Sequence, residues 1–336
     1  MVVNGPDCSG PIAMRVTVDD LRERHLDHQR RAARQLLRRP MRRRQFLSAS
    51  AAAGTAAMGG IALGGGAMAQ EAAKKNPRIN EGLLPDYRLL FYYGFPQNPN
   101  MGILGEHEPG ALLEILKEQA AEYEAADDSR PWKLGFELIA SVAQGSPQPD
   151  NSYVADTDGK WLDLYTEFTA EHDMVLLLDV QMGRREPKED YVGLERWLKY
   201  DHVHLAIDPE FKMWGDEIPG QDLGHVKAHH VTEAQQWLVD LAAKYETSRK
   251  VLLVHQFHHY MIDDKHEIEP MVGVDLVIDM DGWGPPHLKL ETWNAVITEE
   301  PIEYHGIKLF YRQDEPLMSA ADVMALEPTP DVVIYQ

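Results

Sequence analysis

Residues Val274 to Asp281 read VDLVIDMD, and the spacing of the apolar and acidic side chains in this stretch is typical of a strand rather than a helix. One face carries Leu276, Ile278 and Met280. The other face carries Val277, Asp279 and Asp281. Side chains in a strand alternate with a period of two, whereas a helix repeats every 3.6 residues. The stretch therefore predicts a strand with one face covered by helices and the other carrying two carboxylates near its end.

Seven further stretches of the same kind occur along the chain. They are Arg88–Phe95, Lys133–Val142, Met174–Gln181, Val203–Asp208, Lys250–Phe257, Gly306–Tyr311 and Asp331–Tyr335. Segments with helical spacing separate the eight strands: Pro109–Ala125, Trp161–Glu171, Glu189–Tyr200, Thr232–Tyr245, Tyr260–Glu267, Leu288–Val296 and Ser319–Leu326. Strand–helix alternation predicts a parallel sheet, and eight such units fit a single (β/α)8 (TIM) barrel with the chain ending on the eighth strand. An open doubly wound sheet is the alternative. The chain has no Gly-x-Gly-x-x-Gly turn after its first strand and no Walker-type phosphate loop, so nucleotide binding lacks its usual motif.

Polar residues recur where five consecutive predicted strands end. These strand-end residues are Glu137, Asp179, Asp208, His255 and Asp281. In a barrel of this kind the carboxyl ends of the strands form the active site. Each residue alone has a structural explanation as a helix cap or turn residue, and Glu137 also as a partner of Lys133. Together they indicate a site, because polar groups buried side by side are costly unless they are paired or functional.

Glycoside hydrolysis is the first chemistry that suits this set, because it needs one carboxylic acid and one partner carboxylate. We expect Asp208 or Glu210 to be the acid and Asp179 or Asp281 the partner. The residues expected to bind or orient the substrate are Glu137, Gln181, His255, Gln256, Trp283 and Tyr335.

Metal-assisted hydrolysis is the alternative, with His255, Asp179, Asp208 and Asp281 as ligands of a divalent metal. The first strand has no His-x-His pair, which weakens a comparison with barrel amidohydrolases. A third possibility is a barrel that binds a ligand without turnover. The sequence contains no Gly-x-Ser-x-Gly elbow, and we identify no lysine at a strand end that would suit a Schiff-base enzyme.

The charge and cysteine content exclude several classes of partner and site. After position 69 the chain has 22 basic and 49 acidic residues, a net charge of −27. Such a chain repels nucleic acid and anionic lipid and favours a neutral or cationic ligand, such as a small molecule or glycan. The single cysteine, Cys8, precedes this region, so disulfides and cysteine-ligated metals are excluded from it.

The N-terminal region contains the run Arg42-Arg43-Arg44-Gln45-Phe46-Leu47, followed by an uncharged small and apolar segment, Ser48–Leu63, and by Ala67-Met68-Ala69. This arrangement resembles a twin-arginine export signal with a signal-peptidase site. The resemblance implies export by the twin-arginine translocation machinery to the periplasm or the extracellular space, with no permanent membrane span. The predicted organisation is a basic extension over 1–40, with Met41 as the expected true start, a signal peptide over 41–69, a flexible tether over 70–86 and a barrel domain over 87–336.

From Arg88 onward the chain also resembles a group of uncharacterised exported bacterial barrel proteins, several of them lipoproteins. The matching motifs are Tyr93-Gly94-Phe95-Pro96, Met101-Gly102-Ile103-Leu104-Gly105, Leu178-Asp179-Val180-Gln181-Met182-Gly183-Arg184, Ala206-Ile207-Asp208-Pro209-Glu210, Val254-His255-Gln256-Phe257, Met280-Asp281-Gly282-Trp283-Gly284 and Ile334-Tyr335-Gln336. The resemblance implies a glycosidase-like barrel and says little about the reaction. No cysteine follows the predicted signal, so we expect a released protein rather than a lipid-anchored one.

Overall fold

A computed structural model describes Glu71, Ala73 and residues 75–336. The predicted basic extension (1–40) and signal peptide (41–69) lie outside the described residues.

Eight parallel strands close into a barrel, which confirms the predicted (β/α)8 fold. The barrel strands are β1 (Arg88–Gly94), β2 (Trp132–Ala143), β4 (Val175–Val180), β5 (Val203–Ile207), β7 (Lys250–Gln256), β9 (Val274–Met280), β10 (Tyr304–Leu309) and β11 (Val332–Tyr335). Each strand pairs in parallel with the next one named here, and β11 pairs with β1, so the sheet has no free edge along the barrel. The three remaining strands are short: β3 (Val154–Asp156) pairs antiparallel with β2, and β6 (Val226–Lys227) pairs with β8 (Ile262–Asp263).

Helices connect the barrel strands. They are α1 (Pro109–Ala126), α2 (Gly159–Glu171), α3 (Pro187–Gly193), α4 (Glu195–Leu198), α5 (Ala228–Tyr245), α6 (Pro286–Trp293), which continues as a π-helix over Asn294–Thr298, and α7 (Ala320–Met324). Short 3-10 turns lie at Ile103–Gly105, Pro209–Phe211, His259–Met261 and Lys265–Glu267. Within residues 75–336, no helix has both the length and the apolar character needed to cross a bilayer.

Two connections differ from the predicted helices. The expected helix over 189–200 is divided into α3 and α4, and Gly193, a poor helix former, is the last residue of α3. The expected helix over 260–267 is replaced by two 3-10 turns on either side of β8. The backbone there instead pairs with β6, from Val226 to Ile262.

The alternation of side chains along each strand separates two apolar layers. Leu276, Ile278 and Met280 belong to the outer layer, between strands and helices, while Val277 belongs to the layer that fills the barrel. Both assignments match the sequence prediction for this strand. The middle of the interior is apolar; the buried Asp275 lies towards the amino ends of the strands, and the larger group of polar residues lies at the carboxyl ends.

Residues 76–86 pack against the barrel base, which differs from the predicted flexible tether. Leu84 is buried within the inner apolar layer, and its carbonyl accepts a hydrogen bond from Arg249 Nη2 at 2.6 Å. Asn76 Nδ2 donates to the Thr247 carbonyl at 2.8 Å. The polar composition of the segment suggested a solvated chain, but its apolar residue covers the amino end of the barrel.

Candidate active site

Eight ionisable residues line the carboxyl end of the barrel, and we call them the mouth group. They are Glu137, Asp179, Asp208, Glu210, His255, Asp279, Asp281 and Lys308. All are buried except Glu210, which is partly exposed. The structure thus brings together all five strand-end residues predicted from the sequence and adds Asp279 and Lys308.

His255 is the centre of the mouth group, because carboxylates approach both of its ring nitrogens. Nε2 lies 2.9 Å from Glu137 Oε1, and Nδ1 lies 3.0 Å from Asp279 Oδ2 and 3.6 Å from Asp281 Oδ2. Burial opposes the charged ring, but Glu137 and the two hydrogen bonds outweigh it and raise the pKa of His255 well above its usual range. The protonated ring then donates a hydrogen bond to Glu137 and another to Asp279.

Glu137 does not pair with Lys133, the structural partner considered from the sequence. Lys133 instead forms an ion pair with Asp173 at 2.7 Å. Lys133 lies near the amino end of β2, away from the mouth. Glu137 lies four residues further along the same strand, opposite Tyr93 on β1.

Asp179 belongs to a second chain of hydrogen bonds. The Tyr93 hydroxyl donates to Asp179 Oδ2 at 3.0 Å and accepts from Gln181 Nε2 at 3.3 Å. Gln181 Oε1 accepts from the Ala143 backbone N–H at 3.1 Å. Burial raises the pKa of Asp179 to about 7, so near neutral pH this carboxyl can both hold and release a proton.

Lys308 is the main residue of the mouth group that the sequence analysis missed. It lies on β10, and its Nζ is 3.5 Å from the centroid of the Tyr93 ring. Burial disfavours its charge, but the surrounding carboxylates, Asp281 foremost, raise its pKa. It is therefore a buried cation rather than a free amine nucleophile. The period of two along β10 places Lys308 on the same face as Gly306, and this alternation could have predicted that the lysine points inward.

Gly306 makes room for the Asp279 carboxylate on the neighbouring strand. A Cβ at position 306 would lie 2.5 Å from Asp279 Oδ1, closer than any normal contact. The absence of a side chain at Gly306 thus leaves room for the Asp279 carboxylate to reach His255.

Asp208 and Glu210 enter the mouth from the end of β5 and the turn that follows it. The turn Pro209–Phe211 begins directly after Asp208. Burial, followed by the neighbouring Glu210 and Asp179 carboxylates, raises the pKa of Asp208 well above its usual range. Burial and then the Asp281 charge raise the pKa of Glu210 to about 8. At neutral pH Glu210 is therefore mainly a carboxylic acid.

Several oxygens in this region are buried without a hydrogen-bond partner among the described residues. They are Glu137 Oε2, Asp179 Oδ1, Asp208 Oδ1, Gln256 Oε1, Asp279 Oδ1 and Asp281 Oδ1. Buried polar atoms are normally satisfied, and leaving each one unsatisfied costs about 1–3 kcal/mol. The concentration of such atoms at one end of the barrel favours a functional rather than a purely structural role.

Three other predicted residues lie apart from the mouth group. Tyr335 faces the helices, because Val332 and Ile334 are the inward residues of β11, and its hydroxyl is 2.8 Å from that of Tyr123. Gln256 points away from the His255 side of its strand and donates to the His258 carbonyl at 3.2 Å. Trp283 follows β9 and is partly exposed at the rim.

Glu137, Asp179 and His255 form the one group with metal-ligand geometry found among the described residues. One ligand atom from each lies within 4.8 Å of the others, and all three side chains are buried. Asp279 forms a hydrogen bond with Nδ1 of His255. In metal sites such a hydrogen bond orients a histidine ligand so that its Nε2 faces the ion.

Comparisons with protein-family models, with curated proteins and with solved structures find no match to this chain. The fold and the mouth group therefore rest on the residues of the chain itself.

Proposed function

We propose that the protein is a hydrolase that cleaves a glycosidic bond in a neutral glycan or cell-envelope polymer by acid–base catalysis at the barrel mouth. Glu210 is the general acid, and Asp281 is its partner carboxylate. The observation that carries this assignment is the position of Glu210, the one partly exposed member of a mouth group whose other members are buried.

Glu210 has the two properties that a general acid needs. The residue is partly exposed, and its raised pKa of about 8 keeps it protonated at neutral pH. Protonation of the leaving oxygen is the step that such a carboxylic acid performs in glycoside hydrolysis.

Asp281 is the partner carboxylate because it lies beside both cations of the mouth group, His255 and Lys308. Its Oδ2 lies 3.6 Å from Nδ1 of the protonated His255, and it is the carboxylate that contributes most to the raised pKa of Lys308. It is 5% exposed, whereas Glu137, Asp179 and Asp279 are 0% exposed. A carboxyl group that holds a proton and a second carboxyl group beside the cations are the pair that glycoside hydrolysis requires.

The charge of the mouth favours a neutral substrate. Six carboxyl groups face two cations, so a phosphate or carboxylate substrate would meet repulsion. Sugar hydroxyls, by contrast, can donate hydrogen bonds to the unpartnered oxygens. The twin-arginine resemblance of residues 42–47 supports the further proposal that this chemistry takes place in the periplasm or outside the cell.

The test is hydrolysis of neutral aryl glycosides by wild type, Glu210→Gln and Asp281→Asn. Leaving groups of low pKa need little proton assistance, so Glu210→Gln should lose most activity on phenyl glycosides and keep much more on dinitrophenyl glycosides. Asp281→Asn should lose activity on both. The control is Asp216→Asn, an exposed carboxylate in the same β5–α5 connection.

Equal losses of Glu210→Gln on both leaving groups would contradict its role as the acid. No turnover of any glycan by the wild type, together with saturable binding, would instead support a non-catalytic ligand-binding barrel.

A metal-dependent hydrolase is the second candidate, favoured by the geometry of Glu137, Asp179 and His255. These residues would hold a divalent ion such as Zn²⁺, which supplies an activated water when bound. Their complete burial is the reason this candidate ranks second, because a catalytic ion needs a position open to substrate.

Elemental analysis of protein purified without chelator separates the two candidates. A stoichiometric metal that is lost in Glu137→Gln and retained in Glu210→Gln would establish the metal site. Activity that survives chelation, in protein free of metal, would exclude a metal-dependent reaction.

A further inference from the structure

A cavity of about 420 Å³ lies outside the barrel wall, between α1, the turn that follows β1 and the segment that follows β10. Its volume is within the range of small-molecule sites. It lies near the carboxyl ends of β1 and β10, but its residues are distinct from the mouth group. Nothing in the proposed hydrolysis uses it.

Aromatic and aliphatic side chains form the apolar part of this cavity. Tyr311 is 38% exposed, and its ring stacks on Tyr335 with centroids 5.0 Å apart and planes at 26°. Tyr92 meets the Tyr311 ring edge-on at 6.4 Å. Ile103 and Ile115 complete the apolar lining. The Tyr311 hydroxyl donates to Gln119 Oε1 at 3.2 Å, which fixes the ring in place.

Carboxylates form the polar part. Glu118 and Glu122 lie one helical turn apart on α1, and neither forms an ion pair with a basic group among the described residues. Glu122 accepts a hydrogen bond only from the neutral amide of Gln119, at 2.8 Å. The one arginine in the lining, Arg312, is paired with Glu106 at 2.6 Å. The cavity therefore carries uncompensated negative charge beside an exposed aromatic ring.

We infer that this cavity binds a small organic cation with an alkylammonium head group. The ammonium would lie between the Glu118 and Glu122 carboxylates and the Tyr311 ring, where Coulomb attraction and the negative face of the ring act together. The alkyl part would contact Ile103 and Ile115. The net charge of −27 after position 69 raises the local concentration of cations in general, and this lining adds an aromatic surface beside its carboxylates.

The test is isothermal titration calorimetry of the full chain with choline and with 3,3-dimethylbutan-1-ol, which has the same shape without the charge. We expect saturable choline binding that weakens as salt is added, and at least tenfold weaker binding of the neutral alcohol. Glu118→Gln should weaken choline binding about fivefold or more, equivalent to about 1 kcal/mol. The matched control is Glu124→Gln, which removes the same charge from an exposed position of the same helix outside the cavity.

Tyr311→Phe should retain most of the affinity because the ring remains, while Tyr311→Leu should lose it. Tyr311 also packs on Tyr335, so the leucine variant could fold poorly. In that case the comparison of Glu118→Gln with Glu124→Gln still tests whether the cavity binds the cation. Equal weakening by the two glutamine variants, equal binding of the neutral alcohol, or no saturable choline binding up to about 20 mM would each overturn the inference.

Discussion

Replacing Glu210 by glutamine should stabilise the protein at pH 8 while it removes the proposed acid. The folded state raises the pKa of Glu210 from an ordinary value of 4.5 to about 8. The folded protein therefore binds this proton more tightly than the unfolded chain does. The resulting contribution to stability is complete below about pH 4.5 and is lost as the pH rises towards 8. Glutamine is neutral throughout this window and avoids that loss.

The size of the effect follows from the pKa difference. Each pKa unit corresponds to about 1.4 kcal/mol, so a shift of roughly 3.5 units sets an upper limit of about 5 kcal/mol at pH 8. Glu210 is partly exposed and solvent screens part of its interaction with Asp281, so we expect about 2–3 kcal/mol. At pH 4 the wild-type side chain is itself a neutral acid, and the two proteins should have similar free energies of unfolding.

Urea unfolding of wild type, Glu210→Gln and the control Asp216→Asn at pH 4 and pH 8 measures this difference directly. The exposed Asp216 should show no comparable gain. If Glu210→Gln unfolds at the same urea concentration as wild type at pH 8, Glu210 is ionised in the folded protein and its assignment as a general acid fails. If the variant is destabilised equally at both pH values, the glutamic acid has a packing role that its charge does not explain.

Three further substitutions test other parts of the mouth. His255→Gln should lower the free energy of unfolding by about 3–5 kcal/mol, measured in urea, because it leaves two buried carboxylates without their cation; a loss below about 1 kcal/mol would contradict the charged pairing. Gly306→Ala should cost roughly 1–3 kcal/mol through its clash with the Asp279 carboxylate, whereas Gly145→Ala, with open space around its Cβ position, should be nearly neutral in the same assay. Lys308→Met should move the alkaline limb of the pH profile of kcat/KM to higher pH, because the lysine charge lowers the pKa of Glu210; an unchanged limb or a shift to lower pH would show that this coupling is absent.

The sequence predicts the fold well because alternation along a strand is a local property. In VDLVIDMD, residues 274–281, the apolar and acidic faces are separated within eight residues, and the closed barrel follows from repeating such strands with helices between them. The inward direction of Asp179, Asp208 and His255 follows from the same rule.

What the sequence could not supply is which inward residues meet. The pairing of His255 with Glu137 joins positions 118 residues apart, and it depends on barrel closure rather than on local pattern. Lys308 was not predicted because its strand is short and the inward residue before it, Gly306, has no side chain that would indicate a polar face. The segment that contains Leu84 was assigned to a tether because it is largely polar, but the buried Leu84 and hydrogen bonds to Thr247 and Arg249 hold it against the barrel base.

The two ends of the barrel interior differ in how their buried carboxyl groups are paired. At the amino end, the buried Asp275 is paired with Arg249, whose Nε lies 3.2 Å from Asp275 Oδ1, and Arg249 also donates to the Leu84 carbonyl. One carboxylate meets one guanidinium there, although Asp275 Oδ2 also lacks a hydrogen-bond partner among the described residues. At the carboxyl end, six carboxyl groups share His255 and Lys308, and five of the carboxyl groups retain a buried oxygen without a hydrogen bond among the described residues. An excess of buried carboxyl groups over cations destabilises the folded protein as the pH rises. At the other end of the barrel, by contrast, Arg249 is present to pair with Asp275. The excess of carboxyl groups over cations at the mouth supports our proposal that this end of the barrel holds a functional site.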